Sequence, residues 1–84
     1  MSKAMKLTQL QEIARQKTRQ ALEGHKIPRE IQQKLALEMW PEGDDWIFEL
    51  FVSSESPENV IVVARAVINK FNGSSSVTVL WSDE

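Results

Sequence analysis

The sequence predicts one small domain of the α+β class (or a small α/β one), with elements in the order α-α-β-α-β. Three observations carry that prediction. Apolar residues recur at helical spacing through residues 8–40. "DDWIFELFVSS" follows a strand's two-residue period, with bulky apolar side chains on both phases. "SPENVIVVARAVINKFNG" returns to a helical period and leads into a second short strand, "SVTVLWS". At 84 residues the chain has room for a single domain spanning 1–84. Within it, residues 1–7 read as a frayed or disordered N-terminus, 8–40 as a helical hairpin and 45–82 as a β-α-β unit.

The first helix is expected from about Thr8 to Glu23. Thr8 and Gln11 have the spacing of a capping box, in which each side chain satisfies an orphan N–H. Leu7, Leu10, Ile13, Ala14, Ala21 and Leu22 gather on one side, with Arg15, Gln16, Arg19 and Gln20 mainly opposite. Gly24 supplies a left-handed stop. The connector "GHKIP" leads to a second helix, expected from Pro28 to Met39. Ile31, Leu35 and Met39 form its stripe, Ala36 and Trp40 broaden it, and Pro41 prevents continuation. So short a connector favours an αα-hairpin.

A strand is expected from Asp45 to Val52. Trp46, Phe48, Leu50 and Val52 share one face, and Ile47, Glu49 and Phe51 the other. Two largely apolar faces are the pattern of a strand covered on both sides. In the next stretch, β-branched residues favour a strand by propensity, and "FNGSS" has turn character. The helical clustering of Val60, Ile61, Val63, Ala64, Val67, Ile68 and Phe71 outweighs both. A helix from Pro57 to Asn72 is therefore expected, with Ser56 as N-cap, Glu58 on the dipole and Gly73 as the stop. The last strand, Ser76 to Ser82, sets Val77, Val79 and Trp81 on one face. A crossover of that length makes the two strands parallel. Phe48, Phe71 and Trp81 fall on the inward faces of these elements. Two strands alone are marginal in water, so a homodimer joining edge strands across a two-fold axis is expected.

Composition narrows the chemistry. There is no cysteine, which excludes disulfides and thiolate metal sites and suits a cytoplasmic location. No apolar run approaches the ~20 residues of a bilayer span, and "MSKAMKLTQL" lacks the apolar length of a signal peptide. Net charge is −2, but unevenly spread. Residues 1–40 carry eight Lys/Arg against four Glu, or +4, and residues 41–84 carry two against eight acids, or −6. The sign changes at "WPEGDDW", residues 40–46.

No motif there or elsewhere dictates a reaction. His25, the only histidine, sits in a turn beside Glu23 and reads as an exposed imidazole. Glu42, Asp44 and Asp45 lack the loop that wraps a hard cation, and read as carboxylates in water around a glycine turn. Gly24, Gly43 and Gly73 form no phosphate loop, and the loop serines form no nucleophile elbow. No catalytic residue, cofactor or metal site is therefore expected, and the chain reads as no enzyme.

What remains is binding. The expected function is a small non-catalytic protein-binding module, of the inhibitor, immunity or adaptor kind, docking through its acidic C-terminal half. Its candidate residues are Trp40, Glu42, Asp44, Asp45, Glu55 and Glu58, since complementary charge steers encounter with a basic partner. The alternative is a nucleic-acid-binding hairpin using Arg15, Arg19, Lys26, Arg29 and Lys34. Against it, Glu30, Lys34 and Glu38 alternate in sign at i, i+4 spacing, as on a solvated helix face.

Overall fold

The computed structural model describes residues 3–53 and 60–81. Its elements are helix α1 (Leu7–Leu22), the single turn α2 (Arg29–Gln32) and four strands: β1 (Leu35–Glu42), β2 (Asp45–Ser53), β3 (Val60–Asn69) and β4 (Ser75–Val79). The strands form one sheet in the order β1-β2-β3-β4, with every neighbouring pair antiparallel. The arrangement is an α+β meander with one helix laid on it. It overturns the expected α-α-β-α-β order and the parallel pair.

α1 lies close to its expected place. The helix begins one residue early, at Leu7, with Lys6 rather than Thr8 at the cap, and Gln9 rather than Gln11 reaches back: its Oε1 accepts the Lys6 N–H at 3.1 Å. Leu10 and Ala14 are fully buried and Ile13 packs beside them, while Leu7 stays exposed. Thr18 is the buried polar residue of the helix, and its hydroxyl donates to the Ala14 carbonyl at 2.7 Å. After the last turn Gly24 takes φ +89°, the left-handed stop that the sequence requires.

The second helix ends after one turn because its stripe belongs to a strand. Spacing i, i+4 is shared by both periods, so Ile31, Leu35 and Met39 cannot separate helix from strand. Leu37 separates them: with Leu35 and Met39 it completes an alternating row, and Ala36, Glu38 and Trp40 take the other phase. Gly43 has φ +59° in a two-residue connection between Glu42 and Asp45, the backbone a II′-type hairpin asks of its first turn residue. Pro41 is accommodated because β1 is an edge strand.

The expected third helix is strand β3, joined to β4 by the five-residue turn 70–74. Asn69 organises that turn, its Oδ1 accepting the N–H groups of Phe71 and Asn72 at 2.9 and 3.1 Å. The false helical period has a physical source. Register against β2 steps from Leu50↔Ala64 to Phe51↔Val62, leaving Val63 as the extra residue of a β-bulge. Val63 and Ala64 are consecutive and both wholly buried. Adjacent inward residues imitate the a, d, e clustering of a helix. The expected cap at Ser56, with Pro57 and Glu58, lies outside the described residues. Phe71, expected inward, is exposed in the turn.

The core lies between α1 and the even-numbered phase of β2. Leu10, Ala14, Phe48, Ala66 and Ile68 form one buried cluster, flanked by Met5, Met39, Trp46 and Val77. Ile27, Val52 and Val63 form a second, flanked by Leu22, Ile31, Leu35 and Trp81. The connector 23–28 is thus tied to the sheet through Ile27. Val77 and Trp81 sit on the helix side, as their alternation predicts. Phe48 is 0 % exposed and central to the first cluster. Phe48→Ala is expected to cost about 3–5 kcal/mol and Phe51→Ala, on the opposite face, distinctly less. Urea unfolding of the two variants measures the difference.

Candidate functional site

Since Phe48 points to the helix, the odd-numbered residues of β2 point away from it, and their cross-strand partners do the same. That second face carries Trp40, Ile47 and Val67 in one cross-strand row, and Ala36, Phe51 and Val62 in another. Val60 and Leu80 extend it by the same alternation, at 47 % and 49 % exposed. Among the described residues both α1 and the 23–34 segment pack on the other side, so nothing covers this face. Ile47 is nevertheless only 6 % exposed, sheltered in a row between Trp40 and Val67.

Charge on this face is organised as well. Glu38 stands directly opposite Glu49, and Glu42 directly opposite Asp45. Two pairs of like charges therefore flank the Trp40–Ile47 row, an arrangement that works against stability. One cation answers part of it. Arg65, across from Glu49 on β3, donates to Glu49 Oε2 from Nε at 3.0 Å and from Nη2 at 2.7 Å. The acidic hairpin tip is pinned to the β3 end. The Lys70 N–H donates to the Asp44 carbonyl and Lys70 Nζ to the Gly43 carbonyl, both at 2.9 Å.

The structure brings together part of what the sequence singled out. Trp40, Glu42 and Asp45 share the uncovered face, and Asp44 sits in the turn beside them. Glu55 and Glu58 lie outside the described residues. Sequence reasoning did not assign Glu38, Glu49, Phe51, Val62 and Val67 to the site. The signal is present in the two apolar faces of "WIFELFV", a pattern that predicts cover on both sides where the structure has a helix on one.

The basic candidates are more scattered. The helical hairpin expected to present them is absent, since 35–42 is a strand. Arg15 and Arg19 line a groove of about 410 Å³ on the helix side, over Leu22, Ile27, Leu35 and Leu50. Lys26 lies in the connector, Arg29 in α2 and Lys34 in the turn before β1. Leu50, which lines the groove, joins neither core cluster. Two of its polar groups are engaged locally: the Thr18 hydroxyl in its own helix and Gln32 Nε2 on the Ile27 carbonyl at 2.8 Å.

His25 also borders this groove, far in sequence from the acidic face. Among the described residues no three His, Asp or Glu side chains gather to hold a metal ion, and no helix is long and apolar enough to cross a membrane. The arrangement offers an apolar platform with carboxylates in opposed pairs.

Removing one of those opposed charges is expected to stabilise the fold. Glu38→Thr should raise unfolding free energy by about 0.5 kcal/mol, with a larger gain at low ionic strength. Thermal melts at two salt concentrations check this. No family model, no curated protein and no solved structure matches this chain.

Proposed function

We propose that the protein is a non-catalytic binding module whose uncovered sheet face docks a basic, apolar segment of a protein partner. The observation that supports this reading is the pair of like-charge cross-strand contacts, Glu38–Glu49 and Glu42–Asp45, around the Trp40–Ile47 row. A fold that needed only stability would place opposite charges across those positions. A lysine or arginine from a partner would relieve the repulsion, while an adjacent apolar side chain would cover the half-buried Phe51, Val62 and Val67. Trp40 offers an indole face for either contact.

Electrostatics would set the encounter rate and the apolar rows would set the residence time. The acidic residues singled out in the C-terminal half join the site in part, through Glu42, Asp44 and Asp45. Glu38, from the basic half, belongs with them because β1 pairs with β2.

Selection from a random peptide display library tests the reading. Enriched peptides are expected to combine Lys or Arg with Leu, Phe or Trp. Their binding should weaken as salt is added and shift backbone amide signals of β1, β2 and β3 but not of α1. The double substitution Glu42→Lys, Asp45→Lys should lower affinity about ten-fold or more. Enrichment of acidic peptides, or signal changes confined to the Arg15–Arg19 groove, would count against the proposal.

A further inference from the structure

β1 is an unusual edge. It has eight residues and an unbroken register with β2, and Ala36, Leu37 and Glu38 are exposed at its middle. Leu37 is 37 % exposed although it lies on the helix side of the sheet. α1 packs chiefly over β3 and β4, and reaches β1 through a hydrogen bond from Gln11 Nε2 to Met39 Sδ at 3.3 Å. The opposite edge, β4, has five residues and alternates serine and threonine with valine. Edges are ordinarily guarded by lysines, bulges or brevity. β4 is guarded in this way. β1 has no lysine and no bulge; it carries Pro41 near its far end and the glutamates Glu38 and Glu42 on one face.

We infer that β1 pairs with β1 of a second copy, antiparallel about a two-fold axis at Leu37. The occupant follows from the strand's own bounds and charges. On one side the usable edge stops at Gln33 and Lys34, whose N–H groups are taken by the Arg29 and Ile31 carbonyls. On the other it stops at Pro41, which has no N–H. Between these limits the residues whose N–H groups face away from β2, by the alternation of an antiparallel pair, are Leu35, Leu37 and Met39, and Leu37 is their midpoint. Rotation about it sets Leu35 opposite Met39 of the copy, Ala36 opposite Glu38, and Leu37 opposite itself. The exposed Leu37 side chains then meet within one apolar row.

On the other face, Lys34 of the copy comes opposite Trp40 and diagonal to Glu38 and Glu42. Long side chains reach across such diagonals. A cation thereby arrives beside two carboxylates that face like charges within their own chain. A register centred on Glu38 would set two glutamates directly opposite each other, whereas here they are only diagonal, with Lys34 of the copy on the other diagonal. The product is a continuous eight-stranded sheet with both α1 helices on one side and both acidic platforms on the other. The pairing does not rest on partner docking.

Sedimentation velocity over about a hundred-fold range of concentration tests it. The chain should pass from monomer to dimer, because a lone strand pair buries less than a standard interface. Lys34→Glu alone and Glu38→Lys alone should each weaken dimerisation about ten-fold or more. The double variant carrying both should restore it, since the swapped charges again face each other. Leu37→Lys should abolish it, with circular dichroism confirming an intact fold. A monomer throughout the range overturns the inference. So does a dimer that survives Leu37→Lys but is lost on Phe51→Lys, which would place the contact on the uncovered face. Failure of the double variant to recover, with its fold intact, overturns the register.

Discussion

One helix has to cover four strands. With side chains a helix is roughly 10–12 Å across, and four strands spaced by about 4.8 Å put the outer two some 14 Å apart. Full cover is out of reach for α1 alone. It settles over β3 and β4 and reaches inward to Phe48 of β2. The connector 23–28 and the turn α2 fill in beneath Val52 and Val63, through Ile27 and Ile31. β1 is left at the margin, and the far side of the sheet is left bare among the described residues. The groove over Leu50, the exposed Leu37 and the apolar platform of Ile47 and Phe51 all follow from this shortage of helix.

The same shortage explains which parts of the fold were legible in the sequence. α1, β2 and the left-handed glycines were readable because each depends on a local signal: a long periodic stripe, strict alternation, a turn residue at a boundary. The inward face of Val77, Val79 and Trp81 was readable for the same reason. β1 and β3 were not. In β1 the shared i, i+4 spacing of Ile31, Leu35 and Met39 fits either period, and Leu37 decides only once a partner strand is known. In β3 the doubled inward pair Val63–Ala64 broke the alternation that marks a strand. Propensity had the better claim there, since Val and Ile pack well on a pleated surface.

The candidate site was legible in fragments. Trp40 and the acids around Gly43 stood out in the sequence because they are adjacent. Glu38 and Glu49 did not, because only the hairpin pairing makes them neighbours. The charge asymmetry between the halves also changes meaning in three dimensions. Arg15, Arg19, Lys26 and Arg29 belong to the layer that packs on one side of the sheet, whereas Glu38, Glu42, Asp45 and Glu49 project from the other. The division along the chain becomes a division across the sheet. The homodimer expected from a two-stranded sheet loses that reason, since the chain supplies four strands itself.

The bulge at Val63 has a consequence for how the meander assembles. A regular antiparallel pair can slide by two residues and keep every side chain on its proper face, so alternation alone leaves several alignments nearly equivalent. An extra residue removes that equivalence. Any two-residue slip of β3 along β2 would carry the odd residue to a different rung and set Val63 or Ala64 against the wrong neighbour. The Leu80 and Trp81 N–H groups both point to the Val63 carbonyl, at 2.8 and 3.1 Å, so the chain beyond β4 is keyed to the same spot. The irregularity that hid the strand from sequence reading works as an alignment notch, selecting one pairing from a ladder of near-copies.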